Sequence, residues 1–112
     1  MDSVNLTAAV REHLAAARTS AHGRSAHNLN PGRHHRLRQT IIALLADHSL
    51  GEHEAPPEAT LQVLAGRVRL TAGDDAWEGA AGDLMVIPDR RHDLAAFEDS
   101  VVLLTTIVDT GR

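Results

Sequence analysis

The chain has 112 residues, with eleven arginines, no lysine, fifteen acidic residues and no cysteine, and its formal net charge is −4. The absence of cysteine excludes disulfides, thiolate metal ligands and a cysteine nucleophile, and the absence of lysine excludes Schiff-base catalysis. Residues 41–112 hold five arginines against thirteen acids, so we expect no nucleic-acid partner for that part of the chain.

The sequence lacks the signals of membrane insertion and export. No stretch approaches the ~20 apolar residues of a membrane-spanning helix. The first residues lack the charged-then-apolar pattern of a secretion signal. We therefore expect a single-domain, cytoplasmic bacterial protein with no membrane partner.

The N-terminal segment, residues 3–19, predicts an amphipathic helix. Leu6, Val10 and Leu14 recur at helical spacing and form one apolar stripe, and either Ser3 or Asn5 can cap its start. Because the stripe is thin and rich in alanine, we expect the helix to pack against the rest of the domain or against a second copy. Residues 20–33 have the Ser, Asn, Gly and Pro content of a loop. Residues 1–33 are thus predicted to form a helix-and-loop extension.

Residues 34–112 are predicted to form a β-barrel. Short alternating segments separated by Gly and Pro turns are typical of a sandwich or barrel. The segments 40–46 and 101–108 are apolar on both faces, which predicts strands buried from both sides. On one face of the first strand stand Gln39 and Ile41, and on the other stands Ile42.

A first motif lies in residues 51–70, which read GEHEAPPEATLQVLAGRVRL. These residues resemble the first motif of the cupin superfamily, with His53 at its first histidine and Gly66 at its closing glycine. Ala55 and Ala59 stand where the family has a second histidine and a glutamate.

A second motif lies in residues 82–94, which read GDLMVIPDRRHDL. Gly82 and Pro88 match the second cupin motif, and His92 comes one residue earlier than the family's histidine. The chain is similar, more narrowly, to the short cupin 2 conserved-barrel proteins of actinobacteria. The resemblance covers residues 40–108 and implies an all-β, single-domain jelly-roll barrel with a short N-terminal α-helix.

The resemblance also implies a site inside the barrel, where His53 is a metal ligand or the general base and His92 is a second metal ligand or the acid. A catalytic metal generally needs three protein ligands, and the inherited positions supply two. Glu58, or Gln39 with His34 and His35 on the preceding strand, can complete the site. A bound metal would be Zn, Fe, Mn, Ni or Cu, since these suit imidazole and oxygen ligands.

Arginines offer a second type of ligand contact. Arg90 and Arg91 precede His92 at the expected barrel mouth, where guanidinium groups can hold an anionic ligand. The remaining candidates are the N-terminal histidines, which we expect to face solvent. They are His13, His22, His27, His34 and His35.

Two functions follow from these residues. The first is binding of a small polar or anionic molecule in the barrel, with a degenerate metal site. The alternative is a metal-dependent cupin enzyme of the dioxygenase, isomerase or decarboxylase type that uses His53 and His92. Because the helix and residues 101–108 are both apolar, we also expect a homodimer.

Overall fold

The computed structural model describes residues 2–29 and 35–107, in which one helix precedes eight strands. The large sheet has the order β1-β2-β8-β3-β6 and the small sheet the order β5-β4-β7, with antiparallel pairing throughout. The elements are α1 Leu6–Thr19, β1 Arg24–Asn28, β2 Leu37–Leu44, β3 Ala59–Ala65, β4 Arg67–Ala72, β5 Asp75–Ala80, β6 Leu84–Val86, β7 Asp93–Ala96 and β8 Ser100–Ile107. The prediction of an all-β fold with an N-terminal helix is confirmed. None of the helical residues described forms a span that can cross a membrane.

Helix α1 covers the outer face of the large sheet. Of the two predicted caps, Asn5 is the one used, and its side-chain oxygen accepts a hydrogen bond from the N–H of Ala8 at 2.9 Å. The helix buries its alanine-rich stripe against β1, β2 and β8, in a cluster whose buried members are Ala9, Ala17, Ile41, Ala43 and Val101. Of the two predicted alternatives, packing on the rest of the domain or on a second copy, the structure shows the first.

A second core lies between the two sheets. Its buried members are Ile42, Ala59, Leu61, Val63, Val68, Leu70, Ile87, Leu94 and Val102. Because Ile41 faces the helix and Ile42 faces the small sheet, β2 is buried from both sides, as its two-sided apolar pattern predicts.

Residues 47–53 extend the small sheet as an irregular strand along β7. The N–H of Leu50 donates to the carbonyl of Leu94 at 3.0 Å, and His53 and His92 exchange two backbone hydrogen bonds of 2.9 and 3.0 Å. This segment faces the β1–β2 side of the large sheet and brings His53 to His92.

The loop predicted for residues 20–33 is wrong for residues 24–28, which form β1. Arg24 pairs with Leu44 and Asn28 pairs with Thr40 along the edge of the large sheet. The sequence of this strand is polar because most of it is exposed, and its pairing with the apolar strand β2 overrides its weak β-propensity. The sheet thus begins inside the segment assigned to the extension.

Candidate functional site: a two-histidine pocket

The rings of His53 and His92 lie in contact at one end of the space between the sheets. Their centroids are 4.4 Å apart and their planes meet at 65°. His92 is buried, with 3 % of its surface exposed, whereas His53 is exposed. The backbone bridge between the two residues fixes this contact, so an inner and an outer imidazole face the same small volume.

Each imidazole is oriented by a backbone carbonyl. The Nδ1 of His53 lies 2.9 Å from the carbonyl oxygen of Gly51, and the Nδ1 of His92 lies 3.0 Å from that of Arg90. A carbonyl only accepts hydrogen bonds, so each Nδ1 carries a proton. In the neutral rings the lone pair therefore sits on Nε2, which is the nitrogen left for a ligand.

A cavity of about 110 Å³ adjoins the two imidazoles. Side chains of both sheets and of the 47–58 segment line it, and its only polar side chains among the described residues are the two histidines. The apolar lining residues are Ile42, Leu50, Pro56, Leu61, Leu70, Ile87, Leu94 and Leu104. We refer to this cavity, with His53 and His92, as the two-histidine pocket. Its apolar walls come from distant segments, and only the strand alternation hinted at them in the sequence.

The arginines predicted at the barrel mouth are engaged in ion pairs. Arg91 contacts Glu52 at 2.5 Å and Glu54 at 3.1 Å, and Arg90 contacts Asp75. Hydrogen bonding to Glu52 and Glu54 raises the pKa of Arg91 above its usual value. The carboxylates thus neutralise both guanidinium groups, and neither arginine lines the two-histidine pocket.

Gln39 and Glu58 also lie away from the histidines. Gln39 is on the helix side of β2 and lines a separate cavity with His35 and Leu103, opposite the face that carries Ile42. Glu58 is exposed and lines a shallow depression beside the last residues of β8. The structure therefore does not bring either side chain to the pocket, and His34 lies outside the described residues.

The residues around the pocket do not fit a three-ligand metal centre. Within residues 2–29 and 35–107, no three His, Cys, Asp or Glu side chains lie close enough together to hold a metal ion. Ala59, at the position where the resemblance places a glutamate, is 8 % exposed and belongs to the core between the sheets. The chemistry available is that of two imidazoles in an apolar wall.

The N-terminal histidines divide into two groups. His22, His27 and His35 are exposed, as predicted, but His13 is half-buried. Its ring stacks on that of His27, with centroids 5.4 Å apart and planes 23° apart. This contact joins α1 to β1, and the sequence does not reveal it because residues 24–28 have the composition of a loop.

The chain is similar in structure to several cupin proteins. A cupin-superfamily protein from Desulfitobacterium hafniense has a TM-score of 0.70 at 18 % identity, over 77 % of this chain and 78 % of that one. A cupin-2 domain protein from Shewanella frigidimarina has a TM-score of 0.68 at 15 % identity, over 94 % of each chain. A cupin 2 conserved barrel domain protein from Salinispora arenicola has a TM-score of 0.69 at 17 % identity, over 98 % of this chain and 92 % of that one. No family model and no curated protein matches the sequence.

Proposed function

From the cupin fold of this chain, an all-β jelly roll with an N-terminal helix, we propose that the protein binds a small polar or anionic molecule in the two-histidine pocket. The observation that carries the proposal is the pairing of an apolar cavity with two carbonyl-anchored imidazoles. Apolar walls with a few fixed polar groups are the usual composition of small-molecule sites.

The size and polarity of the pocket restrict the bound group. An apolar cavity of about 150 Å³ holds benzene, so a cavity of about 110 Å³ suits at most the body of one six-membered ring, with its polar substituent beside the exposed His53. The neutral imidazoles accept a hydrogen bond at Nε2, and the protonated ones donate. A hydroxyl-bearing ring satisfies both the walls and the two nitrogens.

Phenol is the first probe for this proposal. Titration into untagged protein is expected to shift the imidazole NMR signals of His53 and His92 and to raise the melting temperature. His92→Phe, which keeps a ring but removes both nitrogens, is expected to weaken phenol binding. His35→Ala, outside the pocket, is the control and should leave the affinity unchanged.

Elemental analysis of the same untagged protein can contradict the proposal of a metal-free pocket. One transition-metal ion per chain, lost together with phenol binding in His53→Ala, would replace the metal-free proposal with a metal site.

A second candidate is an enzyme that uses the same pocket. The ring centroids of His53 and His92 lie 4.4 Å apart, and an imidazole can act as an acid or as a base, so one ring can take a proton from a bound molecule as the other gives one. Among the reaction types that the cupin resemblance implies, isomerisation by proton transfer needs only these two groups. Deuterium uptake from D₂O into a small α-keto acid such as pyruvate, absent in His53→Ala, would support this candidate. Equal uptake in the variant would end it.

The homodimer stays a prediction. The two apolar surfaces that suggest it, on α1 and β8, pack against each other on the outer face of the large sheet. The edge strand β6 exposes Leu84 and Val86, at 65 % and 79 % of their surfaces. Sedimentation equilibrium measures the state directly. The cytoplasmic location and the lack of a nucleic-acid partner also stay predictions.

A further inference from the structure

A second cavity adjoins the two-histidine pocket on the side of β1. It has a volume of about 340 Å³, and its walls are Ser20, His22, Arg24, Ser25, Ala26, Ile42 and Leu50. We refer to it as the vestibule. Ile42 and Leu50 line both cavities, so these two side chains form the partition between them.

The register of β1 places Arg24 on the inner face of the large sheet. Ala26 pairs with Ile42 and Arg24 pairs with Leu44, and cross-strand partners share a face. Ile42 faces the small sheet, and Arg24, two residues before Ala26, follows the same alternation. β1 is the edge strand of the large sheet, and Arg24 is exposed there in the wall of the vestibule.

Arg24 also differs in its charge environment from the arginines near the other loops. Arg18, Arg90 and Arg91 each contact at least one carboxylate. Within the part of the chain that the structure describes, no carboxylate lies within ion-pair distance of Arg24. A guanidinium without such a partner is suited to bidentate binding of a carboxylate or phosphate. His22, exposed in the same wall, adds a second nitrogen donor.

We propose that the vestibule binds the carboxylate of an elongated ligand whose hydroxyl-bearing ring lies in the two-histidine pocket. The inner cavity alone is below the roughly 300–1,000 Å³ of ordinary ligand sites, and the vestibule supplies the missing space. The connecting chain of the ligand passes between Ile42 and Leu50, both apolar. This inference rests on the proposed function and names the ligand class: a phenolic or similar hydroxylated ring with a short acidic arm.

A pair of probes separates the two cavities. Phenol occupies the two-histidine pocket only, whereas 3-(4-hydroxyphenyl)propanoate carries the same ring with a carboxylate arm. By calorimetric titration, the carboxylate probe is expected to bind about tenfold more tightly than phenol. That gain should shrink at high salt, because an exposed guanidinium–carboxylate contact is screened.

Arg24→Gln is the decisive variant. It is expected to abolish the tenfold gain while leaving the affinity for phenol unchanged. The matched control is Arg69→Gln, since Arg69 is also an exposed strand arginine without an ion pair among the described residues, and it should alter neither affinity. Melting curves confirm that both variants fold.

The outcomes that overturn the inference are distinct from those that overturn the proposed function. If the two probes bind the wild type equally, or if Arg24→Gln weakens both alike, the vestibule is not a carboxylate site although the pocket still binds phenol. Failure of both probes to bind would overturn the proposed function for this ligand class and the inference with it.

Discussion

At one end of the sandwich, beside the β3–β4 turn at Gly66, the core is closed; at the other, beside His53 and His92, it holds a cavity. We refer to the end beside Gly66 as the turn end, and there Val63 and Val68 have no exposed surface. We refer to the end beside His53 and His92 as the histidine end, and there the apolar side chains of the same sheets leave about 110 Å³ unfilled. Since strands β3, β4 and β8 run through both ends, the difference lies in the residues that finish each end.

Polar atoms at the turn end are used within the protein. The buried Oγ of Ser100 accepts the N–H of Arg67 at 3.0 Å and lies 2.7 Å from the carbonyl oxygen of Glu98, to which it can donate. At the histidine end each imidazole uses only Nδ1 in a hydrogen bond with another described residue, which leaves the two Nε2 atoms beside the cavity. Polar atoms that line a cavity and have no partner within the protein are available to a ligand. The comparison thus assigns stability mainly to the turn end, and it supports the proposed binding at the histidine end.

The largest effect is expected from Gly66→Ala. Gly66 has a φ of +84°, and a Cβ there would collide with the Oγ of Ser100 and lie 2.5 Å from the carbonyl oxygen of Asp99. The left-handed strain and the collision together should lower the free energy of unfolding by about 3 kcal/mol. Urea denaturation measures the change.

Gly73→Ala is the matched control for the collision. Gly73 has a φ of +59° in the β4–β5 turn, and a Cβ there would meet nothing within 4 Å. Gly73→Ala should therefore lower the free energy of unfolding by only about 1 kcal/mol, which is the cost of the left-handed backbone conformation for alanine. Equal losses in the two variants would show that the contact with Ser100 contributes nothing to the turn end.

Ser100→Ala is expected to have the next largest effect. Removing the hydroxyl leaves the N–H of Arg67 without its acceptor in a buried site, which should cost about 2 kcal/mol. The amide of Arg67 should also exchange with solvent faster. Ser49→Ala, at an exposed position, should change stability by less than about 0.5 kcal/mol. An unchanged Arg67 amide would contradict the role given to Ser100.

The same contrast explains which parts were predictable from the sequence. Gly66 is recognisable in the sequence because its positive φ and its close contact with Ser100 favour glycine strongly. His53 and His92 are recognisable because they stand at fixed spacings from the glycines and the proline of the two motifs. Gln39 was misplaced relative to the pocket because both faces of β2 are apolar, so alternation separates Gln39 from Ile42 without showing which face looks inward.

Features that depend on distant partners were not predictable. The carboxylates that pair with Arg91 are almost forty residues away, at Glu52 and Glu54. Strand β1 was missed because an exposed edge strand need not be apolar, and its register decides that Arg24 reaches the vestibule. In each case tertiary pairing, rather than local propensity, sets the outcome.

Removing the charge of Asp99 is expected to have the smallest effect on stability at the turn end, and that effect depends on pH. Its Oδ1 accepts the N–H of Ala46 at 2.9 Å and its Oδ2 contacts Arg18 at 3.2 Å. The hydrogen bond from Ala46, and next the one from Arg18, lowers the pKa of Asp99 below its usual value of 3.8. A carboxyl group whose pKa is lower in the folded state stabilises the protein above its unfolded pKa, and that stabilisation is lost as the pH falls through the folded value.

Asp99→Asn keeps an oxygen for Ala46 but removes the charge, so at pH 7 it should cost less than about 1 kcal/mol, since the carboxylate is largely exposed. Urea denaturation at a series of pH values should show the full deficit above about pH 4 and its progressive loss as the pH falls through the lower folded pKa, where the wild-type carboxyl becomes protonated. Glu98→Gln, at the neighbouring exposed carboxylate, should show no such deficit. A deficit that persists unchanged at pH 3 would mean that the Asn side chain disturbs the turn end by its shape, and that the charge of Asp99 does not hold α1 and residue 46 in place.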